Sequence, residues 1–112
     1  MLKVSAILFA IAALVGLTIA IRIFKNKNTP LPVTLTHGFF AASGLTLLIV
    51  YATREQAHSP VTNIVLFSIA AVGGLVLFAR DMMNKPLPKP LVIAHAGIAV
   101  ISFVILLLAA FR

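Results

Sequence analysis

Four stretches free of Asp, Glu, Lys and Arg, at residues 4–21, 28–53, 56–79 and 90–111, take up almost the whole of this 112-residue chain. Each is close to the ~20 residues with which an α-helix crosses the hydrocarbon core of a bilayer. Lipid offers no partner to an open backbone N–H or C=O, and the stretches lack the alternating pattern of barrel strands, so helices are the reading that satisfies the backbone. The expected fold is an all-α integral membrane protein, an antiparallel four-helix transmembrane bundle running up-down-up-down. Its spans fall at about 3–23, 32–53, 60–80 and 88–111, in a single membrane domain covering 1–112.

Composition agrees, with 62% hydrophobic and only 10% charged residues, outside the range of soluble domains. The absence of cysteine excludes disulfides, thiolate metal sites and thiol-disulfide redox chemistry. A formal charge of +7 would suit nucleic acid, yet the nine Lys and Arg stand at the span ends, where lipid phosphates lie. The bilayer is therefore the expected partner, and nucleic acid is not. Met1-Leu2-Lys3 and Thr18-Ile19-Ala20 have the outline of a signal peptide, but the first stretch is read as a retained span.

The linkers at 22–31 and 80–89 carry Arg22, Lys25, Lys27, Arg80, Lys85 and Lys89, against Lys3, Arg54 and Arg112 on the other side. Six cations against three place both linkers in the cytoplasm and both termini outside, in what is expected to be a bacterial inner membrane.

Sliding the sequence by 58 residues aligns 1–54 with 59–112 without a gap, and 17 of the 54 pairs are identical, where chance predicts about five. The matches include Phe9/Phe67, Gly16/Gly74, Arg22/Arg80, Asn26/Asn84, Pro30/Pro88, Pro32/Pro90, His37/His95 and Ala41/Ala99. Polar and helix-breaking residues matched at one offset are not an effect of shared hydrophobicity. Each half holds two spans, so the fold is two parallel copies of a helical hairpin, related by an axis along the membrane normal. The proline-rich linkers stop the helices, because proline lacks an N–H and disfavours a helical residue before it. Spans two and four then begin near Pro32 and Pro90, proline suiting a first turn.

No Asp, Glu, Lys or Arg lies within the spans away from their ends. That removes the embedded carboxylate of a proton-coupled exporter; the chain resembles small multidrug-resistance transporters in length and span number only. Carboxylate-rich metal sites are excluded with it. His37 and His95 remain, five residues beyond Pro32 and Pro90, ~7–8 Å inside their helix starts. In an up-down-up-down bundle, spans two and four are diagonal, ~12–14 Å between axes, with the histidines level. A flat macrocycle suits that gap better than a small shared ion, and haem has approximate two-fold symmetry about its iron. A homodimer, in which the histidines meet a second chain, is another way to complete the site.

The axial ligands of a haem b iron are thus expected to be His37 and His95. Ala41 and Gly44, with Ala99 and Ser102, leave a small-sided strip beside the histidines. Gly16 and Gly74 fall at the same depth on the other two helices, where close helix packing alone also favours small residues. Arg22 and Arg80, with Lys27 and Lys85, could meet the propionates, although positive-inside anchoring explains them singly. His58, between Gln56 and Ser59 with no counterpart in the repeat, reads as a solvated loop residue.

Paired histidines across four spans resemble the small b-type cytochromes of bacterial and organellar membranes, including di-haem kinds that exchange electrons with quinones or superoxide. The resemblance rests on His37, His95 and the four spans. It implies a haem-bound one-electron carrier with a quinone or a protein redox partner. One pair instead of two implies one haem, not a relay across the whole membrane. The chain also resembles uncharacterised small bacterial membrane proteins with Pro-Leu-Pro before a helix-borne histidine, a likeness that implies no activity. The readings that compete with haem are a non-catalytic structural or assembly subunit, its histidines bonded to backbone or to Thr34 and Thr36, and a small transporter, for which polar residues are few.

Overall fold

A computed structural model describes residues 1–55 and 58–111; Gln56 of the outer loop and Arg112 of the cation count lie outside the described residues. Four helices follow one another: α1 (Leu2–Phe24), α2 (Leu31–Arg54), α3 (Val61–Met82) and α4 (Lys89–Ala110). Each is long and apolar enough to cross a membrane. The bundle is 44 Å long and 19 by 18 Å across, and its length matches the ~40–45 Å of a bilayer with its headgroups.

The helix ends follow from local chemistry that recurs in both halves. Pro32 and Pro90 occupy the first turns of α2 and α4, where a missing N–H is no loss. At the opposite ends of the linkers, Asn26 and Asn84 are the two described non-glycine residues with positive φ, at 57° and 55°. The N–H of Lys27 bonds the carbonyl of Arg22, and that of Asn26 bonds Ile23; Lys85 to Arg80 and Asn84 to Asp81 repeat the pattern. Both are Schellman closures, in which a left-handed residue turns the chain and satisfies the last carbonyls. Arg22 then donates from Nε to the carbonyl of Asn28, and also from its terminal nitrogen, while Arg80 Nε donates to the equivalent Pro86, each Nε bond at 2.9 Å.

Around the bundle the order is α1, α2, α3, α4, each antiparallel to its neighbours, with α1 diagonal to α3 and α2 to α4. The core is made of repeat-equivalent residues: Phe9 and Phe67, Ala12 and Ala70, Leu48 and Leu106 are all buried. Phe9 and Phe67 stack across the axis with ring centres 3.8 Å apart and planes within 4°. The outer surface is apolar; Leu14, Leu75 and Leu108 are 68%, 67% and 69% exposed. An exposed apolar surface of this extent is compatible with contact to lipid. The four-helix bundle is therefore compatible with an integral membrane protein.

Candidate functional site: a histidine pair on the bundle axis

His37 enters from α2 and His95 from α4, and their ring centres lie 6.2 Å apart with planes at 83°. Each imidazole is half-buried and leans on the neighbouring helix of its own hairpin. His37 Nδ1 is 2.8 Å from the carbonyl oxygen of Ala12, and His95 Nδ1 is 2.6 Å from that of Ala70. A carbonyl only accepts, so Nδ1 carries the proton in both rings and Nε2 keeps a lone pair. Among the described residues neither Nε2 has a hydrogen-bond partner.

Glycine makes room for this arrangement. A β-carbon at Gly16 would stand 2.8 Å from His37 Cε1, and one at Gly74 would stand 3.0 Å from His95 Cε1. A side chain at Gly16 would force the imidazole to shift and one at Gly74 would press on it, while neither glycine has a positive φ. Thus Gly16, Gly74 and the histidines form one layer, as their common depth predicts.

The other small residues singled out in the sequence divide differently. Gly44 is buried against the ring of Phe9, whose nearest carbon would be 2.8 Å from an added β-carbon. Ala41 packs against the buried core, and Ala99 is half-buried. Ser102, fully buried, accepts from Asn63 Nδ2 at 3.2 Å through its hydroxyl and at 2.7 Å through its carbonyl. In the other half Ser5 donates its hydroxyl to the carbonyl of Gly44 at 2.9 Å. Ser5 and Asn63 are 58 residues apart, as are Gly44 and Ser102, so a second polar layer obeys the repeat.

Matching identities between the halves does not reveal that layer, since Ser5 and Asn63 differ. Two side-chain donors at equivalent places near the starts of spans one and three were the available signal. His58 is exposed and lies beside Tyr51 and Asn63 at a half-polar hollow at the end of the bundle that carries the termini. Among the described residues no group of three or more His, Cys, Asp or Glu gathers to hold a metal.

The pair places two imidazoles of one tautomer near the axis of a bundle whose other buried polar groups, Ser5, Asn63 and Ser102, lie in the layer nearer the termini. Two imidazoles on a single metal, with bonds of about 2 Å and about 1.2 Å from each nitrogen to its ring centre, stand roughly 6 Å apart. The observed separation of the ring centres, 6.2 Å, is of that size. Across that line the bundle is closed by packed helices, with the Phe9–Phe67 stack on the side of the termini. Compared with known families, curated proteins and solved structures, the chain matches none.

Proposed function

We propose that the chain is a membrane haem-binding protein, a one-electron carrier in which His37 and His95 are the axial ligands of a single haem b. The observation that carries this reading is the pair of Nδ1-anchored imidazoles, 6.2 Å apart on the axis. Metal-ligating histidines commonly donate their second ring N–H to a backbone carbonyl, which fixes orientation and makes the free nitrogen a better ligand. Bound haem would supply a one-electron iron couple, and two histidine ligands leave no open position for oxygen chemistry.

The chain's own residues hold the imidazoles, through the carbonyls of Ala12 and Ala70 and the notches at Gly16 and Gly74. Arg22 and Arg80 already bond linker carbonyls but keep further N–H donors for propionates. Seating a macrocycle requires the hairpins to part, most readily at the α2–α3 seam, the less extensive of the two between hairpins. The cation count in the linkers supports a position for this layer in the half of the bilayer nearer the cytoplasm.

The test is the visible spectrum of the detergent-purified protein after expression with a haem supply. A Soret band is expected, abolished or shifted by His37→Ala and by His95→Ala and untouched by His58→Ala. A colourless protein that takes up no added haem overturns the proposal. A specific observation favours a second reading, a non-catalytic scaffold: both imidazoles already bond backbone, and the axis beside them is filled by stacked rings. Under that reading the protein stays colourless, and the histidine substitutions change stability alone.

A further inference from the structure

The repeat breaks most consequentially along one face. A shallow apolar groove runs between α1 and α4, lined by Ala20, Phe24, Val92, Ala96, Gly97 and Val100. The equivalent face, between α3 and α2, carries Phe78 where α1 has Ala20, and Phe39 where α4 has Gly97. Two phenyl rings are thus missing from the α1–α4 face at places that both line its groove. At Gly97 nothing lies within 4 Å of the point a β-carbon would occupy, so the space is open.

Charge departs from the repeat at the same end of the bundle. Lys89 opens α4 where α2 begins with Leu31, and Lys25 closes α1 where α3 has Met83. Lys89 Nζ stands 5.7 Å from the ring centre of Phe24, which itself lines the groove. At this end α3 carries Asp81 where α1 has Ile23. From Val92 to Val100 the groove follows α4 for ~12 Å, well over a third of the ~30 Å hydrocarbon core.

An apolar trough inside the bilayer with ammonium groups at its headgroup end is complementary to one kind of molecule. We propose that the α1–α4 groove seats an anionic phospholipid, an acyl chain lying over Ala20 and Gly97 and the phosphate meeting Lys89, with Lys25 adding to the field. The start of α4 adds its helix dipole, which favours an anion and makes an uncompensated lysine there unfavourable. Basic pockets between transmembrane helices recognise anionic headgroups on these grounds. The site does not depend on the haem reading.

The experiment uses the full chain, delipidated in detergent and titrated with phosphatidylglycerol or phosphatidylcholine, with retained lipid counted by native mass spectrometry. One phosphatidylglycerol per chain is expected, preferred at least tenfold over phosphatidylcholine. Lys89→Gln is expected to remove most of that preference, and Gly97→Phe and Ala20→Phe, which copy the other half, to lower retention at least tenfold. Leu35→Phe, on the intact equivalent face, should leave retention unchanged, and circular dichroism identifies any variant that has lost its helices. Equal retention of the two lipids, or unaltered retention in both folded phenylalanine variants, overturns the proposal. So does a dimer of the parent chain that Gly97→Phe dissociates, which would make the occupant a second copy.

Discussion

The bundle holds two polar layers built on one plan, one buried and one half-buried, and they differ in what each leaves over. In the layer nearer the termini, Ser5 and Asn63 donate to the carbonyls of Gly44 and Ser102. In the layer nearer the linkers, His37 and His95 donate to the carbonyls of Ala12 and Ala70. All four bonds tie a side chain to the backbone of the other helix in its hairpin. The first layer differs between the copies, Ser against Asn, because any donor of suitable reach secures a carbonyl. The second is identical, each ring with an unused Nε2 and a glycine cleared for it. A hydrogen bond alone does not require an imidazole, whereas a ligand nitrogen does.

The largest expected effects come from filling the glycine notches. Gly44→Ala puts a β-carbon 2.8, 2.9 and 3.1 Å from three carbons of the Phe9 ring, whose movement is restricted by the Phe67 ring stacked on it at 3.8 Å. A loss of about 3 kcal/mol is expected, read by SDS titration in mixed micelles. Gly16→Ala meets a single imidazole edge held by one hydrogen bond, and should cost about 2 kcal/mol. Gly38→Ala, with nothing within 4 Å of its β-carbon, is the control and should gain about 0.5–1 kcal/mol from helix propensity. Equal effects at Gly16 and Gly38 would show that the imidazole is free to swing away.

The histidines come next. Without a bound ligand, His37→Ala and His95→Ala should each cost about 1 kcal/mol, the scale of one interhelical hydrogen bond in a membrane bundle. Each ring bonds its own hairpin, so the double variant should be additive to within about 0.5 kcal/mol. A ligand shared between the rings breaks additivity, since either single substitution releases it. Measuring the cycle with and without added haem therefore separates a shared site from two independent structural bonds.

In the serine–asparagine layer an effect of the same size is expected. Asn63→Ala should cost about 1 kcal/mol. Asn63→Ser, which places the first half's residue in the second, should recover most of that loss. No recovery would mean that the two halves space their helices differently at this depth.

How far these layers were legible in the sequence depended on the range of the signal. Helix number and ends are local matters of charge, hydrophobicity and proline, and α1 to α4 lie where those features place them. The common depth of Gly16 with His37, and of Gly74 with His95, came from counting residues from the linkers. The partners of the imidazoles did not, because Ala12 and Ala70 offer only a backbone carbonyl and its alignment depends on how two helices pack. The Phe9–Phe67 stack was visible as a matched pair without its position on the axis being readable. Ser5/Asn63 was missed because chemically equivalent donors do not register as identities.

The smallest expected effect lies in the linkers, where the copies agree in backbone geometry and differ in sequence. Asn26 and Asn84 share a left-handed conformation, which an alanine adopts at a cost of about 1 kcal/mol relative to glycine, while asparagine tolerates it. Asn26→Ala and Asn84→Ala should each lose about 0.5 kcal/mol, and glycine at either position should stay within about 0.3 kcal/mol of the parent. The two alanine values should agree, because the same arginine-to-carbonyl bond ties each turn down, at Asn28 in one copy and Pro86 in the other. Proline there fixes φ beforehand, so a smaller loss at Asn84 would mean that Pro86 and Pro88 hold the second linker without help from the cap. The repeat would then be equal in geometry but unequal in what maintains it, as the two polar layers already are.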